Sequence, residues 1–218
     1  MIMISKMLHK SIQLTLILGI LNFTNSTAIA LPQSYRNIRY QGVVGQTSYY
    51  TCGPAAVATL LRYYYGINTS ETEILELSHQ AIKESGKNPE DGKGINAFAL
   101  QKALTSKGLL SRGIKIPPAN LSDYFNRGGV PLILHVTIPQ LHYVLAVGMI
   151  GDWVIIADPS WGRKIIHLND LIKDKGFEGI TLIPVTPRTL LSQVRQHQNN
   201  TIDWAKNRLQ RLGRGVNN

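Results

Sequence analysis

The sequence predicts an α+β domain in which helices come first and an antiparallel sheet second. Three observations carry this reading. Between residues 52 and 106 apolar side chains recur three and four residues apart, the spacing of helices that bury one face. Beyond Gly108 the pattern changes to short apolar runs separated by turn residues, which is how strands read. Gly151-Asp152 stands between two of those runs and marks a tight hairpin.

Residues 1–30 read as an export signal. Lys6 and Lys10 give a basic start, Ile12 to Phe23 an apolar stretch, and Ala28-Ile29-Ala30 small residues at a cleavage site. The stretch falls short of the ~20 apolar residues of a spanning helix. Cleavage after Ala30 is therefore expected, giving a periplasmic or extracellular protein; retention of the signal as a membrane anchor is the alternative.

Residues 31–187 then form one domain, beginning with an extended lead-in from Leu31 to Gly45 and a short strand near Val43-Val44. A helix opens at Cys52, with Ala56, Leu60 and Tyr63-Tyr64 on its buried face, and Gly66 ends it. Pro54 fits its first turn, where amides have no partner inside the helix. Ser70-Glu71-Thr72-Glu73 is a capping box that starts a second helix through Ile74, Leu77 and Ala81. Ser85 to Gly94 is a glycine-rich, charged loop. A third helix spans Ile95 to Ser106, and Gly108 stops it.

Strands are predicted at Leu109 to Ile116, Pro131 to Ile138, Tyr143 to Ile150, Trp153 to Ala157, Lys164 to His167 and Gly179 to Pro184, with a short helix from Asn120 to Asn126. The tail, residues 188–218, carries Leu190, Leu191, Val194, Ile202, Ala205, Leu209 and Leu212 in helical register. It reads as one or two amphipathic helices broken at Asn199-Asn200.

The net charge is +10, but 15 basic and 12 acidic residues nearly balance within residues 31–187, whereas residues 188–218 hold 6 basic and 1 acidic. The basic tail offers a face to an exporter or cell-envelope partner, although such helices more often rest on their own domain. Basic and aromatic residues do not interleave in the manner that grips nucleic acid, so no nucleic-acid partner is expected. No His-Glu-x-x-His or paired-cysteine motif suggests a metal, and no cofactor is expected.

Cys52 is the single cysteine of the 218 residues. An exported chain with one thiol cannot pair it internally, which favours a reactive role over a buried one. It stands where a turn gives way to a helix, and the positive end of a helix with a nearby imidazole lowers a thiol pKa. His142 opens an apolar strand and supplies that imidazole. Asp158 closes the next strand, and the hairpin between them brings both to one end of the ladder. His135, the competing histidine, lies within an apolar strand and reads as a hydrogen-bonded core residue. Gln46, six residues before the thiol, is placed to donate to an oxyanion together with the Cys52 amide.

Cysteine, histidine and carboxylate occur in papain-like order. With Gln46, Cys52-Gly53, His142-Tyr143-Val144 and Asp158-Pro159, the chain resembles the papain-like cysteine peptidases that remove double-glycine leader peptides. These are best known as N-terminal domains of bacteriocin-exporting ABC transporters. The resemblance spans roughly residues 40–185 and implies a papain-like fold, peptide cleavage by Cys52 and His142, orientation by Asp158, and an oxyanion hole that includes Gln46. It also implies a peptide or protein substrate with small residues, such as Gly-Gly or Gly-Ala, at the cleavage site.

Three features depart from the exporter-linked members. No Gly-x-x-x-x-Gly-Lys-Ser/Thr phosphate loop occurs in these residues. The export signal points to the opposite side of the inner membrane, indicating a stand-alone exported form. Thr51 stands before the nucleophile where those members often carry an acidic residue. An acyltransferase or transglutaminase-like enzyme uses the same triad, and a catalytically idle peptide-binding module is the third reading.

Overall fold

A computed structural model describes residues 34–88 and 94–213; the predicted signal at residues 1–30 lies outside them. The described chain runs α1 (Tyr35–Arg39), α2 (Cys52–Tyr63), α3 (Glu71–Glu84), α4 (Ala97–Ser106), β1 (Ser111–Lys115), a 3₁₀ turn (Pro118–Asn120), α5 (Leu121–Asn126), β2 (Leu132–Val136), β3 (His142–Ile150), β4 (Trp153–Asp158), β5 (Gly162–His167), α6 (Leu168–Lys173), β6 (Ile180–Pro184) and α7 (Arg188–Arg211). Six strands form one sheet in the order β1-β6-β2-β3-β4-β5, and every neighbouring pair is antiparallel.

Strand side chains alternate between two apolar cores. Ile133, Leu145, Val147, Ile155 and Ala157 face one side, with α2, α4 and α7. Leu132, Leu134, Val144, Ala146 and Ile156 face the other, with Leu121 of α5 and Leu171 of α6. A sheet covered on both faces explains why β2, β3 and β4 read as nearly continuous apolar runs rather than as alternating ones.

The α2 helix is buried on every side from Cys52 to Leu61, not on one face alone. Such a helix is a core element, and small residues at Gly53, Ala55, Ala56 and Ala58 let its neighbours approach. A Cβ on Gly53 would lie 2.9 Å from Leu100 of α4 and 3.2 Å from the Tyr143 ring. The glycine thus permits α2 to begin directly against α4 and β3. At the start of α3, Ser70 Oγ accepts from the Glu73 amide at 3.1 Å. The Glu73 carboxylate is held by Lys107 and Thr69, with a further contribution from the Ser70 amide.

Three expectations need correction. The lead-in contains α1 in place of a wholly extended segment. No strand forms at Val43-Val44, because the Val43 amide donates to Tyr40 O and the Val44 amide to Thr59 Oγ1, both at 3.0 Å. The tail is one helix of 24 residues with no break at Asn199-Asn200. Next to those asparagines the helix is anchored by Gln198, whose buried amide donates to Gly129 O at 2.9 Å and Val147 O at 2.7 Å. Val147 lies where the β3–β4 register shifts, so its carbonyl is available to a side chain.

Gln198→Ala leaves those buried carbonyls without this donor. The expected loss is about 1–3 kcal/mol of stability, read as a lowered urea midpoint with an unchanged slope.

The α6 helix went unforeseen. It is six residues long, too short for a periodic signal, and the His167 imidazole accepts from the Asn169 amide in place of a usual N-cap side chain.

Candidate active site

Three elements deliver the predicted site residues to one place. Cys52 is the first residue of α2, His142 the first of β3 and Asp158 the last of β4. The first amides of a helix have no partner within it and carry the positive end of its dipole. The Thr51 hydroxyl does not cap them; it donates to Ser48 O and accepts from Ser48 N, shaping the loop that leads into the helix.

Burial by itself would raise the Cys52 pKa. A hydrogen bond from His142, the amides of Tyr143 and Gly53, and the charge on His142 outweigh it, so the thiol lies below its ordinary value. The shift runs in the direction that favours a thiolate beside an imidazolium.

The sequence placed His142 and Asp158 across a hairpin, and the register shows how they meet. Leu145 pairs with Ala157, so Asp158 falls opposite Val144 and diagonal to His142, on the same face. His142 Nε2 lies 2.9 Å from Asp158 Oδ1, which leaves Nδ1 for the thiol. Burial would lower the imidazole pKa, but Asp158 and Cys52 together push it up to about 9. Asp158 is 2% exposed. Burial opposes its charge, and His142 with Lys164 more than offsets that, holding the carboxyl well below the usual carboxylate range.

These shifts give the site a stability that depends on pH. His142 has a raised pKa, so its contribution is complete below the unfolded value of about 6.5 and is lost as pH rises through about 9. Asp158 has a depressed pKa, so its contribution is present above about 3.9 and is lost as pH falls into the acid range. The pair is fully engaged between about pH 4 and 6.5. Between about pH 6.5 and 9 the loss from His142 is offset by Cys52, whose lowered pKa adds stability over the same range. The acid limb therefore gives the clear test: the wild-type melting temperature should fall below about pH 4 more steeply than that of Asp158→Asn.

Two residues that sequence reasoning missed complete the surroundings of Asp158. Ser160 donates to Oδ1 through its amide at 2.9 Å and its hydroxyl at 2.7 Å. Lys164 Nζ donates to Oδ2 at 2.6 Å. Both were accessible in principle. Asp-x-Ser is a side-chain turn, and the β4–β5 hairpin sets Lys164 opposite Ile156, on the face that Asp158 shares.

The 158–162 turn is itself strapped down by the chain ahead of Cys52. Arg39 Nε donates to Trp161 O at 2.8 Å, the Tyr40 hydroxyl to Ser160 O at 2.7 Å, and the Gln46 amide to Pro159 O at 2.9 Å. Gly162 has φ of +82°, and a Cβ there would lie 2.3 Å from Arg39 O. Glycine is thus required both by the turn and by the strap.

Gln46 lines the same cleft as His142 and Asp158. Its side-chain amide donates to Ser48 O at 2.8 Å, and its Oε1 is buried without a protein partner. His135 is half-buried and packs tilted against the Tyr143 ring with centroids 4.9 Å apart, rather than being a hydrogen-bonded core residue. Burial lowers its pKa. The cleft has a volume of about 250 Å³ and an apolar floor that includes Val136, Val144, Ile156 and Ile166. Tyr49, three residues before Cys52, Leu141, next to His142, and Trp161, three residues after Asp158, are 78%, 64% and 62% exposed. Among the described residues, no group of three or more His, Cys, Asp and Glu could hold a metal ion.

The model for the Peptidase C39 family matches residues 41–189. The probable functional amyloid protease FapD of Pseudomonas fluorescens is 28% identical over 149 residues, or 68% of this chain, which spans 62% of that relative's length. The peptidase domain of Streptococcus ComA, a bifunctional ABC transporter involved in quorum sensing, is similar with a TM-score of 0.54 and 25% identity. That likeness covers 66% of this chain and 98% of the ComA domain. A double glycine motif protease from an AMS/PCAT transporter, solved in complex with a leader peptide, has a TM-score of 0.51 and 26% identity, covering 65% of this chain and 89% of its own. With a family model matching residues 41–189 and helices and sheet shared with these peptidase domains, the chain belongs to the peptidase C39 family, and with it to the cysteine peptidases of papain-like fold.

Proposed function

We propose that the protein hydrolyses a peptide bond next to small residues by means of Cys52, His142 and Asp158. The observation that carries this reading is the His142 imidazole held at 2.9 Å on a buried carboxylate, beside a thiol whose pKa the same imidazole lowers. In the proposed reaction the thiolate attacks the scissile carbonyl carbon. The oxyanion forms at the start of α2, where the Cys52 amide donates, together with the second N–H of Gln46. His142 then gives its proton to the leaving amine, and a thioester remains on Cys52. The neutral imidazole next takes a proton from water as its oxygen attacks the thioester carbon; the C–S bond breaks, which releases the acid and restores the thiolate and imidazolium.

The proposed substrate is an extended segment containing Gly-Gly or Gly-Ala in another exported protein. A glycine pair lets the backbone approach the nucleophile with no side chain in between. The leader-peptide complex of the AMS/PCAT protease supports peptide binding next to a double glycine. The FapD relative, named as an amyloid protease, is in keeping with a substrate other than an exporter leader. We place the protein in the periplasm or outside the cell on the strength of the signal read at residues 1–30, with the exposed basic residues of α7 offered to an exporter or cell-envelope partner.

Cleavage of a peptide library tests the specificity. Preference for glycine or alanine on the acyl side is expected, and an equal or greater preference for bulky residues would overturn it. Faster transfer of the acyl group to added amines than to water would make the protein an acyltransferase; binding without turnover would make it a recognition module. Mass spectrometry of the mature protein should give an N-terminus near Leu31, and recovery of the full-length chain from the cytoplasm would remove the export proposal.

A further inference from the structure

Asp158 has two carboxylate oxygens with different partners. Oδ1 accepts from His142 Nε2 and from the amide and hydroxyl of Ser160, whereas Oδ2 accepts from Lys164. One buried carboxylate thus serves two cations whenever His142 is protonated. The Asp158 side chain is 3% exposed and that of Lys164 31%, so this charge is weakly screened.

We propose that Lys164 is a positioning residue that sets, through Asp158, the pH range over which His142 remains charged. The proposal rests on the triad reading above. An ammonium fixed on Oδ2 draws carboxylate charge away from the imidazolium on Oδ1, so it makes His142 easier to deprotonate. It also keeps Asp158 ionised when His142 is neutral, as His142 is during the water step, and the carboxylate stays in place through the cycle. The other titratable groups facing His142 lie elsewhere: Cys52 at the start of α2, the His135 and Tyr143 side chains on β2 and β3, and Lys175 after α6, which lines the same cleft. None of these is hydrogen-bonded to Asp158 in the described residues; Lys164 is.

Alkylation of Cys52 by iodoacetate tests this without a peptide substrate. The reagent is an anion, so its rate rises as the thiolate forms and falls as the imidazolium loses its proton. Wild type should give a bell-shaped dependence on pH. In Lys164→Met the falling limb should move up by about one pH unit, the size of effect a charge at this range has on a neighbouring pKa. Lys164→Arg, which keeps the charge, should stay near wild type. An unmoved limb in Lys164→Met overturns the role of Lys164 and leaves the triad reading standing. Absence of a bell in wild type overturns the triad reading, and this proposal with it. Should the methionine variant fail to fold, Lys164→Gln carries the same expected shift and the same refutation.

Discussion

Cys52→Ala should abolish peptide hydrolysis, lowering kcat/KM by on the order of 10⁴ to 10⁶-fold, while the protein still folds. In the proposed reaction the thiol sulfur becomes covalently bound, and no other cysteine exists in the given sequence to replace it. Removing it leaves the helix N-terminus and the cleft in place, so peptide binding should persist. The fold should tolerate the change because alanine is smaller and apolar, and residues of that size already line α2. Steady-state kinetics on the best library peptide, with a melting curve on the same sample, gives the result. Hydrolysis within about tenfold of wild type would remove Cys52 from the reaction altogether.

Asp158→Asn is expected to have the second largest effect, on the order of 10²–10⁴-fold in kcat/KM, and the reason is particular to this site. An asparagine has one acceptor and one donor where Asp158 has two acceptors. If its oxygen faces His142 and Ser160, its NH₂ confronts the Lys164 ammonium. If it turns over, the NH₂ confronts the imidazole and Ser160 instead. Either way a donor meets a donor, and the imidazole loses its counter-charge. Stability should fall as well, by up to about 3 kcal/mol, because two cations lose a buried partner, with Lys164 retaining part of its hydration. Kinetics as a function of pH and chemical denaturation separate the two losses.

The sequence made Cys52, His142 and Asp158 legible because each sits at an element boundary with its own local signal. The helix start at Cys52, the hairpin turn and the Asp-Pro turn are short-range features, and parity along two antiparallel strands is enough to put His142 and Asp158 on one face. Lys164 and Ser160 were missed for a different reason. Their roles depend on what a carboxylate accepts after the strand pairing is set, and a lysine in a strand ordinarily reads as solvent-facing. The lead-in went wrong because α1 is a single turn held by contacts more than a hundred residues away, such as Arg39 on Trp161. The Asn199-Asn200 break failed because tertiary burial of Gln198 overrode a weak local preference.

The strap over the 158–162 turn and the carboxyl-terminal helix together bear on how small this protein can be made. The stretch matched by the family, residues 41–189, excludes Arg39 and Tyr40 at one end and nearly all of α7 at the other. A fragment trimmed to that stretch would retain Cys52, His142 and Asp158 but lose the hydrogen bonds from Arg39 and Tyr40 that pin the backbone after Asp158. It would also uncover the apolar surface now sealed by Val194, Ala205 and Leu209. In this chain the family stretch is thus covered partly by residues that lie outside it, and a fragment of residues 41–189 should melt below the full chain.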